Sequence, residues 1–484
     1  MSKSDASHQS KSGDGPLELF VDPTVRRGTT RSLYQQLRDA IATGRIATGE
    51  RLPPTRELAA QLGVSRHTIT TIYEQLVGEG YVGGRAGGGT FVNPTHRHGG
   101  LDSTEADTRA ALDAPDAGES AFTPRYDLRP GAPDHHLFPT STWRRCMVTA
   151  LQRPPLAYHH PAGLPALRQT IAHWITRSRG LDASADQIVV TSGAQQAIDL
   201  ITRVHVKRGD IVALEEPGYA PVRQLCLALG ADVRPIPVDA EGLVVDLLPP
   251  RTRVVYTTPA HQYPTGVVMS LPRRVALLDH ARRHDIVIIE DDYDSEYRHV
   301  ARPLEPLQRL DRGQRVIYVD TFSKTLSPAL RLGFAVLPRS MVRDMIDLRL
   351  LSDWQPAETQ QLAMTRFLAD GHMGRHLRRT RKVYSDRHRL VTAFLVDAVE
   401  QGRIPEFTPT CAGLHVMARL HDGTDEPDVH RRARSLGLAL GDLASSWQAA
   451  GPPPGMIVGF GSIDSDRLPD ALEVLSEVLA GAKA

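Results

Sequence analysis

Between residues 187 and 322 one pattern recurs five times: QIVVTSG, DIVALEEPG, RVVYTTP, DIVIIEDD and RVIYVDTF. Each is a short, unbroken, β-branched apolar run that stops at polar, Gly or Pro residues, with helical periodicity between the runs. A strand with one wet face alternates apolar and polar residues, so an unbroken run must be covered on both faces. Helical crossovers on either side of a parallel sheet supply that cover. The pattern predicts an α/β fold with a mostly parallel sheet. Ligand sites of such sheets form outside the carboxyl ends of the strands, where the polar residues that end these runs are gathered.

Upstream of Tyr126 the pattern is different. Residues 1–23 are rich in Ser, Gly and charge and cannot bury enough apolar surface to order themselves, so they read as a tail. Residues 94–125 hold six acidic residues against three arginines and almost no aromatics, the composition of a flexible linker. Between these stretches, residues 24–93 carry three helical patterns. Leu33, Leu37 and Ile41 recur at i, i+4 and i+8; Leu58, Ala59 and Leu62 follow Thr55, a predicted N-cap, and precede Gly63; Ile69, Ile72, Tyr73, Leu76 and Val77 form a stripe that opens after Ser65. The few residues around Gly63 give helix-turn-helix spacing. GYVGGRAGGGTFV then reads as two strand segments around a glycine-rich turn carrying Arg85, which suits a β-hairpin wing.

Charge agrees with this division. A net charge of +1 over 484 residues excludes a uniformly basic coat, so a nucleic-acid contact must be local. Residues 24–93 hold nine arginines and five acidic residues, a local excess of positive charge. The exposed side of the third helix presents Ser65, Arg66, His67, Thr68 and Thr71 near the end that enters a major groove. The stretch from Leu33 to Val82, LYQQLRDAIATGRIATGERLPPTRELAAQLGVSRHTITTIYEQLVGEGYV, resembles a GntR-type winged helix along its whole length. That resemblance implies contacts to double-stranded DNA from Arg56, Ser65, Arg66, Thr68 and the wing glycine Gly87.

Four strand ends carry residues with chemistry. RVIYVD leads to Lys324 within DTFSKTLSPALRLG; a lone lysine there is usually a surface residue, but one aimed by rigid neighbours can form a Schiff base. DIVIIE leads to DDYDSEY, which brings Asp291 and Tyr293 to the same sheet edge; the stretch alone also fits a solvated acidic loop, and no EF-hand spacing follows. A buried carboxylate can hold a pyridine nitrogen protonated, and a phenol can bond a ring oxygen. VVTSGAQQAIDL turns from strand to helix at Gly193, Ala194 and Gln195, whose N–H groups and helix dipole attract an anion, with Arg331 and the Thr321 hydroxyl as candidates to complete a phosphate cup. EEPGYAPV places Tyr219 where its ring either stacks on a planar ligand or packs into the core.

Residues 126–484 resemble the fold type I aminotransferases, which use pyridoxal 5'-phosphate and pair a large, mostly parallel domain with a smaller C-terminal α+β subdomain. The resemblance implies that Lys324 forms the Schiff base, Asp291 partners the pyridinium and Tyr293 the ring hydroxyl. It implies that Tyr219 stacks, and that Ala194, Gln195, Thr321 and Arg331 hold the phosphate. TPAHQYPTG is similar to the family's Asn-Pro-Thr-Gly loop but has Tyr263 in place of asparagine, with His261 as a candidate for the vacated contact. Together the two modules resemble the MocR group, in which a GntR winged helix is fused to an aminotransferase-like domain. Members of that group act as homodimeric transcription regulators.

Two functions compete on these residues. A transaminase anchors its substrate carboxylate with an arginine, because an unpaired carboxylate in a closed site is costly. The late strand GMIVGFGSI carries none, and Arg223 is the candidate substitute. The missing anchor favours a regulator that senses pyridoxal phosphate itself, as PdxR-like members that control vitamin B6 synthesis do. Sensing of an amino compound through an external aldimine, or true transamination, are the alternatives. Cys146, Cys226 and Cys411 are too widely spaced for a metal site or a disulfide framework, and no apolar run approaches ~18 residues, so a cytoplasmic protein without membrane contact or bound metal is expected.

Overall fold

The structure, a computed structural model, describes residues 29–85, 89–93, 122–152, 157–299, 305–448 and 451–481. The chain divides into two compact units, Met1–Glu119 and Ser120–Ala484.

In the first unit, α1 (Thr29–Ala42), α2 (Thr55–Leu62) and α3 (Arg66–Gly78) precede an antiparallel pair, β1 (Val82–Arg85) and β2 (Gly89–Val92). Gly63 ends α2 in the left-handed conformation, φ 63°, and returns its N–H to the carbonyls of Ala59 and Ala60. Ser65 starts α3 by accepting the Thr68 N–H on its hydroxyl at 3.1 Å. Thr55 is not the cap of α2. Pro54 occupies that position in an extended conformation and its carbonyl accepts from Glu57 and Leu58, so the helix includes Thr55 as its first residue. Leu33, Leu37, Ile41, Leu58, Ile69, Ile72 and Leu76 close one core with Val82 and Val92. Fully burying such side chains contributes about 1.5–3 kcal/mol each. Val77, predicted to belong to the stripe, is 47% exposed because it lies about 100° around the helix from Leu76.

The second unit opens with β3 (Tyr126–Leu128), α4 (Thr140–Leu151) and α5 (Pro165–Arg179). It then builds an eight-stranded sheet from β4 (Ile188–Thr191), β5 (Ile211–Glu216), β6 (Asp232–Asp239), β7 (Gly242–Leu243), β8 (Thr252–Thr257), β9 (Val287–Asp291), β10 (Val316–Thr321) and β11 (Gly333–Val336). The order is β4-β11-β10-β9-β8-β5-β6-β7, parallel throughout except for β11 and β7. Helices α6 (Ala194–His205) and α7 (Ala220–Ala228) follow β4 and β5. Val189, Ile317, Val319 and Ala335 pack with Ile198 and Ile201 of α6 on one face, while Ile188, Val190, Tyr318, Phe334 and Val336 pack with Leu167 and Ile171 of α5 on the other. Successive residues of each strand thus enter different apolar clusters, which is why the runs do not alternate with polar residues.

A smaller sheet contains β12 (His415–Arg419), β13 (Leu438–Asp442) and β14 (Gly455–Gly459) in the order β12-β14-β13-β3, with β3 parallel to β13. The first strand of the unit therefore belongs to its C-terminal sheet. Among the described residues, no helix is long and apolar enough to cross a membrane.

Candidate functional site

Strand register sets the site. Thr321 at the end of β10 pairs with Gly333 of β11, which pairs with Thr191 at the end of β4, and Asp291 at the end of β9 lies beside Val319. Around these ends lies a cavity of about 380 Å³ whose walls include Lys324, Asp291, Tyr293, Tyr219, Ala194, Gln195, Thr321 and Arg331. Gly193 and His261 are not on its wall but stand directly behind it, against Arg331 and Tyr293 respectively. Six wall residues carried no signal of their own in the sequence: Pro130, Gly131, Tyr256, Thr258, Ser323 and Pro328.

The acidic stretch after β9 has three destinations. Asp291 faces the cavity; its Oδ2 accepts from Tyr256 Oη at 2.7 Å, while its Oδ1 is buried with no hydrogen-bond partner among the described residues. Burial, reinforced by Asp292, lifts its pKa to about 7 against the opposing pull of Tyr256 and Lys324. Asp292 and Glu296 turn away to Arg179 of α5, at 3.1 and 2.8 Å. Asp294 meets His261 Nδ1 at 3.0 Å. A merely solvated acidic loop is thereby excluded, since Asp291, Asp292, Asp294 and Glu296 are all buried.

Lys324 lies half-buried and donates from Nζ to the Gly131 carbonyl at 2.6 Å. Burial lowers its pKa, only partly countered by Asp294 and Asp291, which favours the neutral amine a nucleophile requires. At the other end of the cavity, Gly193 caps α6 with φ 101°, and a Cβ built on it would come 3.3 Å from the Arg331 guanidinium. Gly333 is equally constrained, because a Cβ there would meet Gly193 Cα at 2.9 Å. The first-turn N–H groups of Ala194 and Gln195 have no partner within a helix, and Arg331 forms no ion pair among the described residues. Cation and helix end converge as an anion cradle.

Buried Glu215 shapes the loop at 258–266. It accepts from the Thr257 and Thr258 hydroxyls at 2.5 and 2.7 Å and from Gln262 Nε2 at 3.2 Å, and Gln262 Oε1 in turn accepts from Thr265. Tyr263 is thereby set edge-on to Tyr219, with ring centroids 5.7 Å apart. His261, Asp294 and His415 bring three potential metal-ligating atoms within 4.8 Å of one another. They are already bonded, however: His261 Nδ1 to Asp294 and Tyr293, His415 Nε2 to the Pro264 carbonyl at 3.1 Å.

Arg223 is not available as a carboxylate anchor. Its guanidinium donates to the carbonyls of Trp447 at 2.6 Å and Ser445 at 3.2 Å, because the loop after β13 folds over the end of β5, where Gly218 N–H also donates to Ser446. In the first unit, Arg56, Ser65, Arg66 and His67 are exposed and Thr68 is half-buried; Ser65 also caps α3. Among the described residues neither Arg56 nor Arg66 meets a carboxylate. Gly87 lies outside the described residues.

Residues 133–424 match the family of class I and II aminotransferases, and residues 29–92 match bacterial regulatory proteins of the gntR family. The chain is 34% identical to "Probable rhizopine catabolism regulatory protein MocR" of Rhizobium meliloti over 94% of its own length and 95% of that protein. It is 33% identical to the HTH-type pyridoxine biosynthesis transcriptional regulator PdxR of Corynebacterium glutamicum, over 96% and 99% of the two chains. The crystal structure of Pyrococcus horikoshii kynurenine aminotransferase is similar at TM-score 0.71 and 28% identity, covering 79% of this chain and 98% of that one. The gntR domain implies DNA binding. With both domains matched, and relatives of the same two-domain make-up aligned along nearly the whole chain, this protein belongs to the MocR-type, GntR-family transcriptional regulators that carry an aminotransferase-like domain.

Proposed function

We propose that the protein is a regulator that binds pyridoxal 5'-phosphate in the cavity and answers by changing its hold on promoter DNA. The observation that carries this reading is the unpartnered, buried Oδ1 of Asp291 in a cavity that also holds a lysine of lowered pKa and an anion cradle. That donor set fits the cofactor: Asp291 holds the ring nitrogen's proton, Lys324 takes the carbonyl carbon, and the phosphate goes to Ala194, Gln195, Thr321 and Arg331. Tyr219 covers the ring, Tyr293 bonds its oxygen, and Gly193 lets Arg331 approach. When bound, the cofactor supplies an aldehyde and an electron-withdrawing ring. On the DNA side, Arg56, Ser65, Arg66, Thr68 and Gly87 serve the contacts.

Among the described residues the cavity wall holds no arginine besides Arg331, which goes to the phosphate; this supports sensing over transamination, as does the commitment of Arg223 to the 445 and 447 carbonyls. The resemblance to PdxR supports control of pyridoxal phosphate biosynthesis genes from the cytoplasm. A similar resemblance to a probable regulator of rhizopine catabolism fits a signal other than the cofactor alone, and so a second reading, in which an amino compound joins the bound cofactor as the signal. A homodimer fits both, because two linked half-site contacts bind more tightly by effective concentration; the exposed rings of Tyr158 and Trp354, 5.1 Å apart, with exposed Leu351, are suited to a second copy. Response requires that the cofactor bind two conformations unequally. The test is a gel-shift titration on the protein's own upstream DNA, with and without pyridoxal phosphate, alongside absorbance spectra. A visible band and changed DNA affinity are expected; equal affinities refute regulation by the cofactor, and multiple turnovers with amino and keto acids refute the sensor.

A further inference from the structure

Behind Tyr293 stands a pair of buried side chains that no step above uses. His261 Nδ1 lies 3.1 Å from Tyr293 Oη and 3.0 and 3.2 Å from the two Asp294 carboxylate oxygens, while its other nitrogen, Nε2, is buried with no partner among the described residues. Gly413 makes room for the pair: a Cβ there would come 2.0 Å from His261 Cε1 and 2.7 Å from Asp294 Oδ2.

Hydrogen-bond chemistry decides where the protons sit. Burial alone would raise Asp294, but its interaction with His261, with His415 and Lys324 behind it, holds it below the ordinary carboxylate range. A carboxylate only accepts, so His261 Nδ1 must carry the hydrogen that faces it. Tyr293 Oη then meets an N–H and cannot donate to it. Its own hydrogen is left to the cavity side. Burial, with Asp294, Tyr263, Asp291 and Glu215 around it, keeps the phenol protonated well beyond its usual range. We propose that Asp294 and His261 are positioning residues that turn the Tyr293 hydroxyl into the cavity as an obligate donor to the anionic ring oxygen of the bound cofactor. This rests on the pyridoxal phosphate reading above.

The consequence is a tuned proton beside Lys324. A donor on the ring oxygen stabilises its negative charge and loosens its grip on the neighbouring proton shared with the Lys324 nitrogen. Without the Asp294 carboxylate, the histidine can shift its hydrogen to Nε2, Nδ1 becomes an acceptor, and Tyr293 turns back to it; without His261, nothing on that side holds the Tyr293 hydroxyl toward the cavity.

The experiment is a pH titration, from 5 to 10, of the visible band of the full chain loaded with pyridoxal phosphate. In Asp294→Asn and His261→Leu the midpoint should rise by about one pH unit, the scale of one hydrogen bond. His261→Asn, which keeps an N–H near the Nδ1 position, should stay near wild type. In a Tyr293→Phe background the midpoint should already be raised, and adding His261→Leu should move it no further. Asp294→Asn is isosteric and carries the test if His261→Leu does not fold. Midpoints unmoved in the band-forming variants overturn the pair alone, as does a further shift in the Tyr293→Phe background. A wild-type chain that develops no visible band overturns the cofactor reading, and this inference with it.

Discussion

Replacing Asp291 by asparagine should stabilise the cofactor-free protein, and by more at pH 8 than at pH 5. Asp291 is buried against Asp292 and its pKa stands at about 7 instead of 3.8. Three units correspond to ~4 kcal/mol between its two protonation states. A folded-state pKa raised above the unfolded value makes an acid a burden only where it is ionised. The burden is absent below about pH 4, grows between 4 and 7, and is complete above 7. Between pH 5 and pH 8 the difference is about 2–3 kcal/mol, and water in the open cavity screens it to ~1 kcal/mol or somewhat more. Asparagine escapes it entirely while its carbonyl oxygen can keep the bond from Tyr256, now 2.7 Å. Urea midpoints of both proteins at the two pH values provide the assay, and because the same chain is compared, the other titrating groups cancel. A stability difference that does not change between pH 5 and pH 8 would refute the burial argument. With pyridoxal phosphate present the order should invert, since a cationic ring nitrogen needs the carboxylate.

Lys324→Ala should abolish the visible absorbance without altering the melting temperature by more than a degree or two, because its Nζ makes a single hydrogen bond among the described residues, to Gly131; an unchanged spectrum would move the link to another lysine. Arg66→Ala should weaken specific DNA binding by ~1–3 kcal/mol if Arg66 reads a base, measured by gel shift at fixed salt, and wild-type affinity would remove α3 from the groove. Arg223→Met loses two bonds to carbonyls of the loop after β13 and should speed hydrogen exchange at the Gly218 amide, which donates to Ser446 at 2.8 Å, on the order of tenfold, one lost hydrogen bond's worth. Exchange at the wild-type rate would show that the loop is held by other means.

Local chemistry was enough for much of this molecule. The unbroken runs at 188–191, 211–216, 252–257, 287–291 and 316–321 announced strands covered on both faces, because no other arrangement removes that many β-branched side chains from water. Gly63 and Ser65 marked the turn between α2 and α3, since a left-handed residue and a hydroxyl cap satisfy backbone groups within a few residues. The order of Gly193, Tyr219, Asp291 and Lys324, each following one of these strands, placed them at one sheet edge before any packing was known.

Neighbours in space had no such signal. Nothing local reveals that β11 inserts, reversed, between β4 and β10, or that Tyr126–Leu128 leaves the large sheet to pair with β13. Each apolar run can pair with any other, and the choice is made by how side chains far apart in sequence fill the same volume. The acids after β9 show the same limit: which of them faced ligand, arginine or histidine depended on Arg179 arriving from α5 and His261 from the 258–266 loop. Residue type and spacing determined which chemistry the chain carries; long-range packing alone decided that the carboxylate facing the cavity is Asp291, with its Oδ1 buried and unpartnered among the described residues, because desolvation is a property of everything that surrounds a group and not of the residues beside it in sequence.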